Sequence, residues 1–340
     1  MSFMEQEPEL ECEDAEERPT EVLVEELQKM GINVADIKKL REASLTTVSS
    51  ILMTTRKDLG NIKGFSEAKV QKLIDSAIKL MPSFGGFQTG SECLIQRRDI
   101  RKLSTGCTAL NDILGGGIES MSITEVFGEF RTGKTMLCHT VAVTAQLSIS
   151  NGGGSGKVVF VDTEGTFRPG RIQAIADRLG LDRDEVLENI LVARVYTTDA
   201  QIEVLKGIAM KMSEDHFALV VVDSAMALFR VDFSGRGQLS ERQQKLGTFM
   251  SQLRKLADQF NVAILITNQV MSDPSGAMTF VADPKKPVGG HVMAHASTTR
   301  LYLRKGRGDQ RICKIYDSPD FPEVEAIYQL TEGGISDATD

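Results

Sequence analysis

The feature that most constrains this chain is one short stretch, residues 128–135, which runs Gly-Glu-Phe-Arg-Thr-Gly-Lys-Thr. A glycine, four residues, then glycine, lysine and threonine are typical of a phosphate-binding loop. Gly128 and Gly133 allow a tight turn whose backbone N–H groups point inward and form a nest for an anion. Lys134 is expected to reach the β- and γ-phosphates, and the Thr135 hydroxyl to ligate Mg²⁺.

The sequence on either side of this loop supports the same interpretation. Residues 123–127 have the pattern of a buried strand, and residues 136–147 that of a helix. The positive N-terminal end of the helix would then face the phosphates. A second glycine-rich stretch, residues 152–157, has no serine or threonine after its lysine. We expect that stretch to be a plain flexible connection.

Composition limits the classes of protein to which the chain can belong. A length of 340 residues predicts one large domain and one small one. No apolar run approaches the roughly 20 residues that span a bilayer, so no membrane partner is expected. The acidic N-terminus is unlike a signal or transit peptide. Five scattered cysteines without a C-x-x-C pair favour a reducing compartment over a disulfide framework or zinc site.

The net charge of −8 is distributed unevenly along the chain. Residues 1–20 hold eight acidic side chains and one arginine, whereas residues 300–316 hold six basic side chains and one aspartate. A net charge describes the whole surface and says little about any one patch. A basic patch for nucleic acid is therefore compatible with an acidic protein.

The chain divides into four predicted regions. Residues 1–20 are predicted to be an acidic disordered tail, either simply solvated or an interaction arm. Residues 21–81 form a small all-α domain, residues 82–100 a linker, and residues 101–340 a large α/β core.

The small domain and the linker each contain one candidate contact. The turn at residues 61–66 contains Gly64 and resembles a helix-hairpin-helix, in which backbone N–H groups approach a DNA phosphate. An ordinary turn between two helices is the alternative. Phe87 is an isolated aromatic residue in the linker, and we expect it either to dock into a pocket on a neighbouring subunit or to pack on its own domain.

The core alternates strands with helices. Short, fully apolar strands are predicted at residues 158–162, 219–223 and 262–267. Helices are predicted at about 134–147, 170–180, 199–212 and 239–260. The expected fold is a mostly parallel sheet with helices on both faces and a ligand at the carboxyl ends of the strands.

Polar side chains follow these predicted strands. Asp223 ends a run of apolar residues. A carboxylate at that position in a P-loop ATPase holds the water shell of Mg²⁺. Glu164 can orient and deprotonate a water that attacks the γ-phosphate, and Asp162 is expected to be structural. Gln269 can donate a hydrogen bond to the γ-phosphate and so report its presence.

Two segments beyond the strands are predicted to be irregular, residues 230–238 and 271–290, and long irregular loops are usually functional. Their arginine and apolar side chains suit threading a nucleic-acid strand and separating its bases. Those candidates are Phe233, Arg236, Met278 and Phe280. His291 and His295 lie four residues apart but lack a local cysteine, so a phosphate contact for His295 is favoured over a metal site.

Taken together, these motifs resemble those of the eukaryotic RecA-family recombinases from about residue 20 onward. The segments that carry the resemblance are 128–135, 219–224, 234–237, 283–287, 294–300, 303–308 and 316–319. The resemblance implies a RecA-like P-loop ATPase core, a helix-hairpin-helix N-terminal domain, and Mg²⁺-dependent, DNA-dependent ATPase and strand-exchange activity in the nucleus. It also implies a helical filament on single-stranded DNA, rings without DNA, binding of duplex DNA, and mediator proteins as partners.

The same resemblance assigns roles to individual residues. The catalytic residues would be Glu164, Lys134 and Gln269, and the Mg²⁺ ligands Thr135 and Asp223. The ATP contacts within one protomer would be Gly128, Glu129, Phe130, Arg131, Thr132, Gly133, Lys134, Thr135 and Asp223. The contacts from the neighbouring protomer would be His295 at the γ-phosphate and Asp317, Ser318, Pro319 and Pro322 at the adenine.

The resemblance also implies two DNA sites. Arg236 and Arg242 match contacts of the first DNA-binding loop, and residues 271–287, with Pro274, match the second loop. Arg131, Arg304 and Lys314 match a weaker site for an incoming duplex.

The family contains a general and a meiosis-specific form. Residues 117–121, 226–233 and 273–274 resemble the meiotic form, whereas Gly165, Tyr302 and Cys313 look more like the general form. The docking motif of the family is phenylalanine, two residues, then alanine. Here Gly90 replaces the alanine, which we expect to add flexibility and weaken subunit docking. A hexameric DNA helicase and an ATP-binding recombination accessory protein remain as alternatives.

Overall fold

The computed structural model of the chain describes residues 22–272 and 285–339, apart from the side chains at positions 236, 272 and 285. The acidic tail, Pro274, Met278, Phe280 and the Arg236 side chain therefore lie outside the described residues.

The helices and strands of the described residues follow the predicted alternation. The helices are α1 Val34–Glu42, α2 Val48–Leu52, α3 Arg56–Gly60, α4 Glu67–Leu80, α5 Gly90–Gln96, α6 Thr108–Ile113, α7 Lys134–Thr144, α8 Pro169–Leu179, α9 Arg183–Glu188, α10 Thr198–Met212, α11 Ala227–Asp232, α12 Leu239–Phe260 and α13 Gly290–Ala296. The strands are β1 Lys102–Leu103, β2 Ile118–Glu119, β3 Ile123–Gly128, β4 Lys157–Asp162, β5 Ile190–Arg194, β6 Phe217–Asp223, β7 Ala263–Asn268, β8 Val270–Ser272, β9 Lys285–Pro287, β10 Thr299–Lys305, β11 Gln310–Asp317, β12 Glu325–Thr331 and β13 Gly334–Asp337. Short 3₁₀ turns occur at Val24–Met30, Arg97–Asp99, Ile149–Asn151 and Arg236–Gln238.

The centre of the molecule is a twisted sheet that, in the part of the chain that the structure describes, has nine strands in the order β13-β12-β11-β10-β3-β7-β6-β4-β5. The strands from β10 to β5 in this order are parallel, which confirms the predicted sheet. Every residue of β3, β6 and β7 is buried, because helices cover both faces. The sequence analysis did not foresee the antiparallel extension by β11, β12 and β13.

The small N-terminal domain has its own apolar core, which includes Leu27, Leu40, Ile51 and Leu73. It contacts the large core where the Gln259 amide of α12 donates a hydrogen bond of 2.8 Å to the Thr47 hydroxyl. No helix in the described ranges is both long enough and apolar enough to span a bilayer.

The linker is more regular than predicted. Thr89 caps α5, and its backbone N–H donates to the Glu92 carboxylate at 2.7 Å, so a reciprocal capping box begins the helix. Gly90 is therefore the first helical residue. The Phe87 side chain is fully exposed within the single chain, so it does not pack on its own domain.

The two segments predicted to be irregular are partly regular. Helix α11 extends to Asp232, and a 3₁₀ turn follows it. Strands β8 and β9 pair as an antiparallel ladder at the two ends of the second segment. Local pairing and packing therefore order the ends of both segments.

The second glycine-rich stretch is also ordered, contrary to the prediction of a flexible connection. The Gly153 and Gly154 N–H groups donate to the carbonyls of Ser148 and Ala145 at 3.0 and 2.8 Å. A Cβ atom at Gly153 would lie 2.0 Å from the Leu147 carbonyl oxygen. Glycine is needed here because the backbone packs against itself.

Candidate functional site

The phosphate-binding loop joins the end of β3 to the start of α7. Gly133 has a φ of +100° and Arg131 a φ of +64°, both in the left-handed region. A Cβ atom at Gly128 would lie 2.2 Å from the backbone oxygen of Leu303. The two glycines of the motif are therefore required by backbone geometry, as the spacing predicts.

Lys134 lies at the mouth of this loop. Its ammonium donates to the backbone oxygens of Gly128 and Glu129 at 2.8 and 2.7 Å. Burial lowers the pKa of Lys134, and the nearby Asp223 and Glu164 carboxylates only partly oppose that shift. A partly desolvated ammonium gains from a further anionic partner, so this loop fits a phosphate.

Asp223 is surrounded by three threonine hydroxyls. Thr135 and Thr166 donate to its Oδ2 atom at 2.7 and 3.0 Å, and Thr267 donates to Oδ1 at 2.5 Å. Hydroxyl and carboxylate oxygens are the ligands that Mg²⁺ prefers, together with water and phosphate. Thr135 and Asp223 therefore fit a Mg²⁺ ion bound with a nucleotide. Outside this pair, the described residues contain no cluster of three or more histidine, cysteine or acidic side chains that could hold a metal.

The Glu164 carboxylate faces the same cavity. Its Oε1 atom accepts hydrogen bonds from the Ser224 hydroxyl at 2.8 Å and from the Gln269 amide at 3.2 Å. The Gln269 carbonyl oxygen in turn accepts from Arg230 at 2.5 Å. The side chains proposed to activate water and to contact the γ-phosphate are thus already linked within one chain.

The cavity has a volume of about 570 Å³, which is in the range of small-molecule sites. Its lining consists of the whole loop and of strand ends: Gly128, Glu129, Phe130, Arg131, Thr132, Gly133, Lys134, Thr135, Met136, Glu164, Thr166, Asp223, Ser224, Thr267, Gln269, Val270, Arg311 and Leu330. The predicted loop and strand-end residues therefore converge on one site.

Sequence analysis missed four polar residues that line this cavity: Thr166, Ser224, Thr267 and Arg311. It also missed Arg230, which contacts Gln269 from outside that lining. Ser224 directly follows Asp223, and Thr267 lies near the end of its strand, so the rule that strand ends meet could have found both. Arg230 lies on α11, inside a segment predicted to be irregular, and no local pattern connects it with Gln269.

The other nucleotide candidates do not lie in this cavity. Strand β10 pairs with β3 on one side and with β11 on the other. On the β3 side, Leu303 lies opposite Gly128 of the phosphate-binding loop, whereas Arg300 lies opposite Glu125, nearer the start of β3. On the β11 side, Arg300 lies opposite Asp317. Asp317 and the loop that follows it therefore lie toward the other end of the sheet. Ser318, Pro319 and Pro322 belong to that loop, and His295 is exposed near the end of α13. One chain does not bring these residues to its own phosphate-binding loop.

Phe233 differs from the prediction of an exposed wedge. Its side chain is 8% exposed and packs in the core of the face formed by α10, α11 and α12. The Lys245 ammonium lies 5.2 Å from its ring centroid. Phe233 is apolar and follows α11 directly, so burial against α12 is favoured over exposure to water.

The basic run at residues 300–316 is not one patch. Arg300 is buried, and its guanidinium donates to Glu125 at 2.7 Å. Arg304 pairs with Glu325 at 2.8 Å, and Lys314 pairs with Glu323 at 2.7 Å. The hydrogen bond that Lys314 donates to the Glu323 carboxylate raises the pKa of Lys314. These acids compete with DNA for both predicted duplex contacts.

The remaining DNA candidates lie on different elements. Arg242 is half-buried on α12. Phe130 is 80% exposed on the phosphate-binding loop, and the Arg131 guanidinium lies 5.3 Å from its ring centroid.

Comparison with known proteins identifies the family. The sequence profile described as Rad51 matches residues 96–338. A meiotic recombination protein DMC1 homolog B from Oryza sativa is 56% identical over 317 residues, which cover 93% of this chain and 91% of the relative. The DMC1/LIM15 homolog from Homo sapiens is 56% identical over 314 residues, or 92% of each chain, and the DMC1 homolog from Lilium longiflorum is 53% identical over 333 residues, or 97% and 95%. The resemblance to the eukaryotic RecA-type recombinases is thereby confirmed, and the chain belongs to the Rad51 family.

Proposed function

We propose that this protein is an ATP-dependent DNA strand-exchange recombinase that acts in meiotic recombination and double-strand break repair in the nucleus. The observation that carries the proposal is the convergence of Lys134, Glu164 and the Thr135–Asp223 pair on one cavity. Membership of the Rad51 family and similarity to proteins named for meiotic recombination support the biological assignment.

The proposed chemistry follows from which groups surround the cavity. Mg²⁺, held by Thr135 and Asp223, would neutralise charge on the β- and γ-phosphates. Glu164 is the general base that takes a proton from the attacking water. Lys134 stabilises charge on the phosphates, and Gln269 donates to the γ-phosphate. Arg230 holds the Gln269 carbonyl oxygen and so turns its amide toward the cavity.

The proposed assembly is a helical filament with ATP between protomers. Asp317, Ser318, Pro319, Pro322 and His295 lie away from the phosphate-binding loop of their own chain, so each can contact only the nucleotide of a neighbour. ATP that contacts two protomers would favour the assembled state, and hydrolysis would remove that preference.

The proposed subunit contact joins Phe87 and β5, which is an edge strand of the sheet in the part of the chain that the structure describes. Phe87 is fully exposed, and the β5 edge presents the partly exposed apolar side chains Leu191, Val192 and Tyr196. An unpaired strand edge with apolar side chains is suited to accept an extended segment of another chain. Docking of the Phe87 segment on the neighbour's β5 edge would join successive protomers.

The DNA contacts are assigned to the two segments that leave the nucleotide edge of the sheet. Arg236 and Arg242 follow β6. Residues 271–287, with Pro274, Met278 and Phe280, follow β7 and are the proposed second DNA-binding loop. Both segments begin at strands that end in the nucleotide cavity, so nucleotide state and DNA binding would be linked. Arg131, Arg304 and Lys314 remain proposed contacts of an incoming duplex, provided that DNA displaces the acids that pair with the last two.

The assignment to the meiotic form rests on similarity to proteins named for meiotic recombination and on residues 117–121, 226–233 and 273–274. The general form of the recombinase is the second candidate, since Gly165, Tyr302 and Cys313 favour it. Restriction of expression to meiotic cells would support the first candidate, and expression in dividing somatic cells would support the second.

A strand-exchange assay with and without ATP tests the proposal. We expect joint molecules from homologous substrates only with ATP and Mg²⁺, and DNA-stimulated ATPase activity. ATP binding without stimulation by DNA would instead identify an accessory protein. Negative-stain images of the protein with single-stranded DNA should contain helical filaments that the Phe87→Glu variant does not form. Closed rings with directional unwinding would identify a helicase.

A further inference from the structure

The segment that carries Glu164 is folded around one buried carboxylate. Asp162 ends β4 and is 4% exposed. Its Oδ1 atom accepts from the backbone N–H groups of Glu164, Gly165 and Thr166 at 3.1, 2.7 and 3.1 Å. Its Oδ2 atom accepts from the N–H of Phe167 at 3.2 Å. Four successive N–H groups thus converge on a single side chain.

Successive N–H groups that converge in this way form a nest that suits an anion. Here the anion is a side chain of the protein itself, so the nest is filled before any ligand binds. The Glu164 backbone is fixed by the first of these bonds, and Thr166, which donates to Asp223, is fixed by the third. The shape of this loop therefore depends on the charge of Asp162.

Arg194 connects the same carboxylate with the open edge of the sheet. It is the last residue of β5, and its guanidinium donates to the Asp162 backbone oxygen at 3.0 Å and to Oδ1 at 3.2 Å. The guanidinium also lies 4.8 Å from the ring centroid of Tyr196, which is 71% exposed. Within the described residues, β5 pairs with β4 alone.

We propose that Asp162 and Arg194 are positioning residues that hold Glu164 in its catalytic geometry, and that a second copy of this chain docked on the β5 edge strengthens this hold. This inference rests on the proposed function of Glu164. The docked copy removes water from Tyr196 and from the Arg194 guanidinium. An ion pair that loses water is stronger, so the Asp162 carboxylate and its four N–H donors become more rigid.

The first test compares Asp162→Asn with the parent protein in a DNA-stimulated ATPase assay. The asparagine amide can keep its oxygen at the Oδ1 position, but its NH₂ group then faces the Phe167 N–H donor, and the charge that Arg194 contacts is lost, so we expect the Glu164 loop to shift. A misplacement of about 1 Å can cost about 100-fold in rate, so we expect kcat to fall by about 10- to 100-fold. KM for ATP should stay within about twofold, because Lys134 and the phosphate-binding loop do not touch Asp162. Asp177→Asn is the matched control, since Asp177 pairs with Arg183 on the exposed face of α8 and should leave kcat unchanged.

A second variant keeps the inference testable if Asp162→Asn does not fold. Arg194 is one-third exposed, so Arg194→Met should fold. We expect about a 3- to 10-fold fall in kcat, because loss of the Arg194 contact should shift the Glu164 loop less than loss of the Asp162 carboxylate does. Arg194→Lys should recover part of that loss, because a lysine keeps the charge and one donor.

A third measurement separates positioning from a general structural role. If the effect of Asp162 on kcat runs through Glu164, Asp162→Asn combined with Glu164→Gln should be no slower than Glu164→Gln alone. If Glu164→Gln keeps the parent kcat, the proposed function fails. If Glu164→Gln loses activity while Asp162→Asn and Arg194→Met keep the parent kcat, or if the losses multiply in the double variant, the positioning inference is overturned.

A separate measurement tests whether a docked copy strengthens the hold of Asp162 and Arg194 on Glu164. The ratio of parent to Arg194→Met kcat should be largest under filament-forming conditions. The same ratio should be smaller, but still above one, when Phe87→Glu prevents docking, because Arg194 contacts Asp162 within a single chain. A ratio that does not depend on Phe87 would overturn the link between the β5 edge and Glu164.

Discussion

The nucleotide cavity and the opposite end of the sheet differ in how complete they are within one chain. In the cavity, polar side chains pair with one another: Thr135 with Asp223, and Glu164 with both Ser224 and Gln269. At the opposite end, His295, Pro319 and Pro322 are exposed. From this difference we infer that one protomer builds the proposed hydrolytic half of the site, and that the second half of the nucleotide contacts comes from another copy.

A buried polar network lies between these two regions. Glu125 of β3 is fully buried and accepts from Asn268 at 2.7 Å and from Arg300 at 2.7 Å. Asn268 directly precedes Gln269 of the cavity, and Arg300 lies opposite Asp317 at the far end. The two regions are therefore parts of one packed core and are not separate modules.

The largest effect on this comparison is expected from Glu125→Ala. Removal of one partner leaves Arg300 charged, buried and unpaired, which costs about 3–5 kcal/mol in the free energy of unfolding. Chemical denaturation measures this cost. The matched control is Glu325→Ala, which breaks the exposed pair with Arg304 and should cost less than about 1 kcal/mol. Equal costs for the two variants would contradict the buried connection.

The next effect is expected from Lys134→Ala. Loss of an electrostatic contact to the reacting phosphate should lower ATPase kcat by about 10²- to 10³-fold and remove ATP-supported filaments. Lys157→Ala is the matched control, because Lys157 follows the second glycine-rich stretch and pairs with Asp215 on the surface. Normal D-loop formation by Lys134→Ala would contradict the proposed role of the cavity in ATP-dependent strand exchange.

A smaller effect should appear in the pH dependence of the free energy of unfolding, and it concerns the region of the nucleotide cavity. His139 lies behind the Glu164 loop, where its Nε2 accepts from the Arg168 N–H at 3.2 Å. Burial lowers the pKa of His139 from 6.5 to about 4. The unfolded chain therefore binds a proton before the folded chain does, so stability falls as pH drops from about 6.5 to about 4.

The pKa difference corresponds to about 3 kcal/mol over that interval. Urea denaturation at several pH values measures the slope. His139→Gln should flatten the dependence over this interval, and a variant whose slope equals that of the parent would show that His139 is not its source.

The smallest effect is expected on the affinity for DNA, whose proposed contacts lie outside both regions of this comparison. Arg236→Ala should weaken single-stranded DNA binding and reduce the slope of log affinity against log salt by about 0.7, since one phosphate contact is lost. Fluorescence anisotropy over a salt series measures the slope. An unchanged slope would argue that Arg236 contacts no phosphate.

Local pattern was enough to predict much of the hydrolytic site. The phosphate-binding loop, the buried strands and the polar residues at their ends depend on short stretches of sequence, and parallel strands bring their carboxyl ends together. For the same reason, the sequence predicts that Lys134, Thr135, Glu164, Asp223 and Gln269 lie close together, and all five line one cavity. The domain core and the N-terminal helices likewise follow from apolar periodicity.

Tertiary structure alone decided which side chains meet across distant elements. Phe233 is buried because α12 packs over it, and Arg300 and Arg304 differ because one faces Glu125 in the core and the other faces Glu325 at the surface. The bonds from Arg194 to Asp162 and from Arg230 to Gln269 join residues that are 32 and 39 positions apart. A sequence pattern reports local spacing, whereas burial, charge pairing and accessibility to DNA depend on the packing of the whole chain.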